Sequence, residues 1–151
     1  MKNTRLTSIL SSSMVACALM LGSLASTQFA SAQSSTMAVV NIPFAFQTPT
    51  QTLPAGKYRV IEQTNHLIRL QGSAAGGFVV TYDALKSKAP DHGYMVFVHR
   101  GGQYYLRQIW TAGSTQGLEC PKSRAEKESM LAKNNEAPST VELAMNSIPK
   151  H

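Results

Sequence analysis

An all-β domain is what this sequence predicts: a small antiparallel barrel or sandwich of five to seven strands, followed by one C-terminal helix. Three observations predict it. Between Met37 and Thr111, short runs rich in Val, Ile, Phe and Tyr are separated by Gly, Pro and Asn, the spacing of a sandwich or barrel. Within the runs apolar and polar residues alternate with period two, and no stretch there has a helical apolar period. The strongest local signal is Gly101-Gly102 between two apolar runs, a two-residue turn suited to a tight hairpin.

The elements follow in order. Val40, Ile42, Phe44 and Phe46 alternate with Asn41, Pro43, Ala45 and Gln47 as one half-buried strand. Pro43 has no N–H to give a ladder, so that strand belongs at an edge or carries a bulge. Leu53-Pro54-Ala55-Gly56 places Pro and Gly where a type I turn wants them. The turn launches Lys57–Glu62, with Tyr58 and Val60 inward and Lys57 and Arg59 outward. Gln63–Asn65 turns the chain into His66–Leu70, where Ile68 and Leu70 share a face. The small residues Gly72–Gly77 lead to a further run, Phe78–Tyr82, and a polar loop, Lys86–Gly93, follows. In the hairpin, Tyr94–Arg100 and Gln103–Thr111 set Phe97 opposite Leu106, Val98 opposite Tyr105 and His99 opposite Tyr104. Both of its faces are then apolar, which fits a central position, or a face covered by a helix or a second subunit.

After Gly117 the character changes. Ser123-Arg124-Ala125-Glu126 is a capping box with Pro121 just ahead of it, predicting a helix from Arg124 to about Lys133 within a segment 119–134. Residues 135–151 mix Pro, Ser, Asn and single apolar residues and are expected to stay loose, with Ser139–Glu142 able to cap one more helical turn.

Residues 1–32 read as an export signal. Lys2 and Arg5 precede an apolar stretch from Ile9 to Leu24, and Ala30-Ser31-Ala32 offers a small-x-small cleavage site. A membrane anchor fits less well, because Ser11–Ser13 interrupt the stretch and a span needs about 20 apolar residues. A lipidated Cys17 fits less well too, since Ala18–Leu21 continue the apolar stretch beyond it. Cleavage after Ala32 predicts a periplasmic or secreted protein with no remaining membrane span: a polar lead-in, 33–36, then a β-domain, 37–118. The segment removes two of the 14 basic residues and no acid, so the charge falls from +6 to +4. A mild positive charge outside the cytoplasm points to an anionic envelope component or a polysaccharide rather than nucleic acid, although scattered charge serves solubility alone. The segment also takes Cys17, leaving Cys120 without an internal partner.

Candidate chemistry is sparse. His66, His92 and His99 are too far apart in sequence to announce a metal site. Asp83, Asp91, Glu62 and Glu119 show no pairing of the kind a glycosidase needs. There is no Gly-x-Ser-x-Gly elbow, and Ala55-Gly56-Lys57 lacks the rest of a phosphate loop, so no catalytic residue and no cofactor is assigned. Tyr104, Tyr105 and Trp110 can stack on sugar rings, with Arg107 and His99 supplying polar contacts; large aromatics in strands more often fill a core.

Ile42–Phe46, Leu53–Tyr58, Phe97–Gly101, Tyr104–Trp110 and Lys122–Glu126 occur in that order. Together they resemble a group of small, functionally uncharacterised exported β-proteins of soil bacteria, over roughly residues 38–130. The resemblance implies a compact β-fold and export and transfers no catalytic residue. The Gly101-Gly102 turn departs from it, since a bulkier residue beside Gly is usual in the group.

The expectation is therefore a non-enzymatic exported binding or envelope-associated module. Its ligand would sit in a barrel mouth or on the Tyr94–Trp110 hairpin at His99, Tyr104, Arg107 and Trp110. Two alternatives stand beside it. One is a small hydrolase or metal-dependent enzyme using His66 or His99 with Asp83 or Asp91. The other is a structural homo-oligomer, as a dimer through the hairpin face or Cys120. A cleft holding either aspartate within reach of either histidine would overturn the non-enzymatic reading.

Overall fold

The computed structural model describes residues 35–131 and 137–148. The segment expected to direct export, the expected cleavage site after Ala32 and the expected helix end beyond Leu131 lie outside them. Among the described residues no helix is long and apolar enough to cross a membrane.

Among the described residues twelve strands form two sheets, and neither closes into a barrel, so the fold is a sandwich. The first sheet holds β1 (Ser35–Ile42), β4 (Gly56–Thr64), β5 (Leu67–Gly72), β6 (Gly76–Val80) and β12 (Asn146–Ser147), in the order β12-β1-β4-β5-β6. The second runs β11 (Ser139–Ala144), β8 (Tyr94–Arg100), β9 (Gln103–Trp110), β10 (Gln116–Glu119), β7 (Tyr82–Leu85). The short β2 (Phe46–Gln47) pairs with β3 (Thr52–Leu53) and, in parallel, with the start of β9. The single described helix, α1, spans Arg124–Leu131.

Alternation dictates the core. Ala38, Val40, Ile42, Tyr58, Val60, Ile68, Leu70 and Val79 of the first sheet pack against Phe46, Leu53, Met95, Phe97, Leu106 and Ile109 of the second. The hairpin has the expected register, and Gly101 (φ 56°) and Gly102 (φ 73°) both occupy the left-handed region a primed turn requires. It is central as expected, because β8 lies between β9 and β11.

Three expectations need correction. The run Val40–Gln47 is two strands: β1 ends at Ile42, Pro43 cannot extend the ladder, and the chain crosses to the second sheet before β2. Phe78–Tyr82 also divides, at Thr81, where the chain again changes sheet while Thr81 N–H donates to His66 C=O at 2.8 Å. The described part of the tail, residues 137–148, is not loose and forms no helical turn. β11 pairs with β8 along its whole length, β12 pairs with β1, and Met145 is buried between them. Val141, Leu143 and Met145 recur with period two, a strand signal diluted by the polar residues around it.

Candidate functional site

The hairpin residues first expected to hold a ligand are drawn into structural work. Trp110 is 1 % exposed and clusters with Tyr94 and Val96 on the outer face of the second sheet, with Ala84 packed against them. Its indole N–H donates to Gln108 Oε1 at 3.1 Å, and Lys86 Nζ lies 4.5 Å from the ring centroid. Tyr105 is buried. Tyr104 is half-buried, stacked on Phe44 with centroids 3.7 Å apart, and the His99 ring tilts against it at 4.5 Å. No open aromatic platform remains on the hairpin.

Arg107 is the extra residue of a β-bulge, since Phe97 pairs with Leu106 while Val96 pairs with Gln108. At that point β9 passes from pairing with β2 to pairing with β10. Arg107 closes the gap. Its carbonyl accepts from Cys120 N–H at 2.8 Å, its Nη1 donates to Cys120 C=O at 3.0 Å, and its Nη2 donates to Glu126 Oε1. Glu126 is held by the helix start, where its N–H donates to Ser123 Oγ at 3.0 Å. The guanidinium is thus satisfied within the chain and ties α1 to the sheet.

Cys120 is fully buried, and burial pushes its thiol up to about 12. Neither route to a dimer expected from the sequence is exposed: the thiol is enclosed, and Tyr94, Val96 and Trp110 are covered within the chain.

A cleft of about 450 Å³ opens instead at one end of the sandwich. From the first sheet Glu62, Asn65 and His66 of the β4–β5 corner reach into it; from the second come Asp83 on β7 and Thr111, Ser114 and Gln116 around the β9–β10 turn. The division at Thr81 makes this convergence, because it carries the chain from β6 in one sheet to β7 in the other and sets Asp83 beside His66. His66 Nδ1 stands 3.9 Å from Asp83 Oδ1, with the side chains 52 % and 71 % exposed. That is beyond hydrogen-bond range, and the pair is free to turn toward a ligand. The Ser114 hydroxyl is already engaged, donating to Gln116 C=O at 2.8 Å and accepting from Gln116 N–H at 3.1 Å. His92 and Asp91 are exposed in the loop before β8 and do not line the cleft. Among the described residues no three His, Cys, Asp or Glu side chains gather as a metal-ligating set.

From the sequence, His66 with Asp83 is one of four His–Asp combinations open to an enzyme, Glu62 has no partner, and Asn65, Thr111, Ser114 and Gln116 have no assigned role. No spacing joins these seven residues, which meet only because both sheets end at the same mouth. Comparison with family models, with curated proteins and with solved structures finds no match to this chain.

Proposed function

We propose that this is an exported binding module whose ligand, a neutral or cationic hydroxyl-rich molecule such as a saccharide end, occupies the cleft between the two sheet ends. The observation that carries the reading is convergence: polar side chains from both sheets face one cleft of about 450 Å³, within the range of small-ligand sites. The walls carry the carboxylates of Glu62 and Asp83 and no Lys or Arg, which disfavours an anion there. Amide-resonance titration with glucose, glucosamine and glucuronate tests it. Shifts centred on Asn65, His66, Asp83 and Gln116 with the first two sugars, abolished by Asp83→Asn, are expected. Absence of shifts at the cleft residues with glucose and glucosamine, or cleft shifts larger with glucuronate than with either, would overturn it.

A hydrolase is the second reading: one cleft holds both His66 and Asp83, and it is the 3.9 Å between them, longer than a hydrogen bond, that keeps the binding reading ahead. A carboxylate beside an imidazole can orient it as a general base. With Ser114 tied into its own turn, the nucleophile would be water: His66 takes its proton as the oxygen adds to an ester carbonyl, and returns that proton to the alkoxide as the carbon–oxygen bond to it breaks. Chromogenic esters and glycosides separate the two readings. Turnover lost on His66→Ala supports the hydrolase, and saturable binding without turnover supports the module.

A further inference from the structure

We propose a second site, distinct from the cleft: the outer face of the first sheet is a docking groove for an anionic polysaccharide. Lys57 and Arg59 alternate outward along β4, about 6.7 Å apart by strand geometry. Arg69 stands on the neighbouring strand β5, where Arg59 pairs with Gln71 and Ile61 with Arg69. All three cations are exposed. The only acid in the five strands of this sheet is Glu62, which points into the end cleft; the other described acids lie in the second sheet, its loops or the helix. The charges are therefore sorted: cations on one flat face, carboxylates elsewhere.

The face is also shaped. A shallow groove of about 500 Å³ runs over it, lined by Val39, Lys57, Arg59, Gln71, Gly72 and Ser73. Arg59 is steadied by donating from Nη2 to Thr36 Oγ1 at 3.2 Å. Past the groove, Arg69 Cζ lies 5.9 Å from the Phe78 ring centroid, leaving a half-exposed aromatic beside a cation. Carboxylates spaced along a sugar chain meet Lys57, Arg59 and Arg69 in turn, and a sugar ring can lie against Phe78. Two other occupants fit less well. A second copy would bring the same positive face and be repelled. A lipid bilayer would need a broad apolar patch to insert, and the large apolar side chains exposed on the described strands of this sheet are only Phe78 and Val80, both on the edge strand β6.

Retention on a polygalacturonate matrix tests the proposal, with dextran and phosphatidylglycerol vesicles as the other surfaces. The protein should bind polygalacturonate much more tightly than dextran, whose glucose ends can meet only the cleft, and the polygalacturonate binding should weaken as salt rises. The triple variant Lys57→Gln/Arg59→Gln/Arg69→Gln should lose at least about tenfold in affinity. Lys122→Gln/Lys127→Gln, which removes the same kind of charge near the helix, should change it less than about twofold. Because the three cations are exposed, the variant's circular dichroism should match the parent. His66→Ala should leave retention intact, which separates this site from the cleft. Equal retention of the triple variant, no retention at low salt, or tighter binding to the vesicles than to polygalacturonate would overturn it.

Discussion

Gly117 is the position where one added methyl group should hurt most. It sits on β10 directly opposite Trp110 on β9, and a Cβ there would stand 2.5, 2.7 and 2.8 Å from Cε3, Cδ2 and Cζ3 of the indole. Ordinary carbon contacts lie at about 3.5–4.0 Å, so three ring atoms are overrun by roughly 1 Å at once. The ring has little room to retreat. It is 1 % exposed, its N–H is bonded to Gln108 and Lys86 covers it. Overpacking of this kind costs about 1–3 kcal/mol. Against it, exchanging Gly for Ala restricts the unfolded chain, worth about 0.4–1 kcal/mol where the backbone tolerates the change. Gly117→Ala should therefore lose about 1–2 kcal/mol. Trp110 is the sole tryptophan, so urea unfolding followed by its fluorescence reports on the clash directly. The midpoint should fall with an unchanged slope. In a Trp110→Leu background, followed by circular dichroism, the same substitution should cost at least about 0.5 kcal/mol less. A Gly117→Ala protein as stable as the parent would refute the reasoning.

Three further outcomes are expected. Glu126→Ala strands the Arg107 guanidinium beside the sheet, and urea unfolding should show a loss of about 3–5 kcal/mol, whereas Arg107→Met with Glu126→Leu should lose less because no charge is left unpaired. Ser123→Ala removes the acceptor for Glu126 N–H and should cost about 1 kcal/mol in the same assay. The Cys120 thiol is raised by burial from 9.0 to about 12, so above pH 9 the unfolded chain releases a proton that the folded one keeps. Its stabilising contribution is whole below pH 9 and should drain at up to about 1.4 kcal/mol per pH unit toward 12. Tyr58 is also raised by burial, so it is the difference from Cys120→Ala, measured by unfolding between pH 8 and 11, that isolates the thiol; parallel curves would contradict the enclosed site.

Local structure was legible wherever a residue's role is settled by its neighbours in sequence. Gly101-Gly102 predicted the turn and hence the register, Ser123 and Glu126 predicted the helix start, and Tyr58 and Val60 predicted which face of β4 points inward. What failed was long-range. Pro43 announced trouble in a strand, but that the chain would leave one sheet for the other depends on where the second sheet lies. Val141 and Leu143 form a strand only because β8 offers an edge some forty residues earlier in the chain. Arg107 looked like a sugar ligand because nothing near it in sequence reveals that it occupies a bulge with Glu126 waiting across the gap.

The same distinction decides which residues are available for binding. The conspicuous aromatics of the hairpin carry the largest apolar area, and a domain this small uses such area for stability: Trp110, Tyr105 and Phe97 are buried on the two faces of one sheet. Polar side chains at the corners are under no such demand. Glu62, His66 and Asp83 end strands or turns and are brought together by the crossing at Thr81, while Lys57, Arg59 and Arg69 alternate outward because their neighbours Tyr58, Val60, Ile68 and Leu70 alternate inward. Building the core thus produces, as its complement, an acidic mouth and a basic face. The net charge of the chain conceals both, and a charged group that suits one of them is the wrong sign for the other.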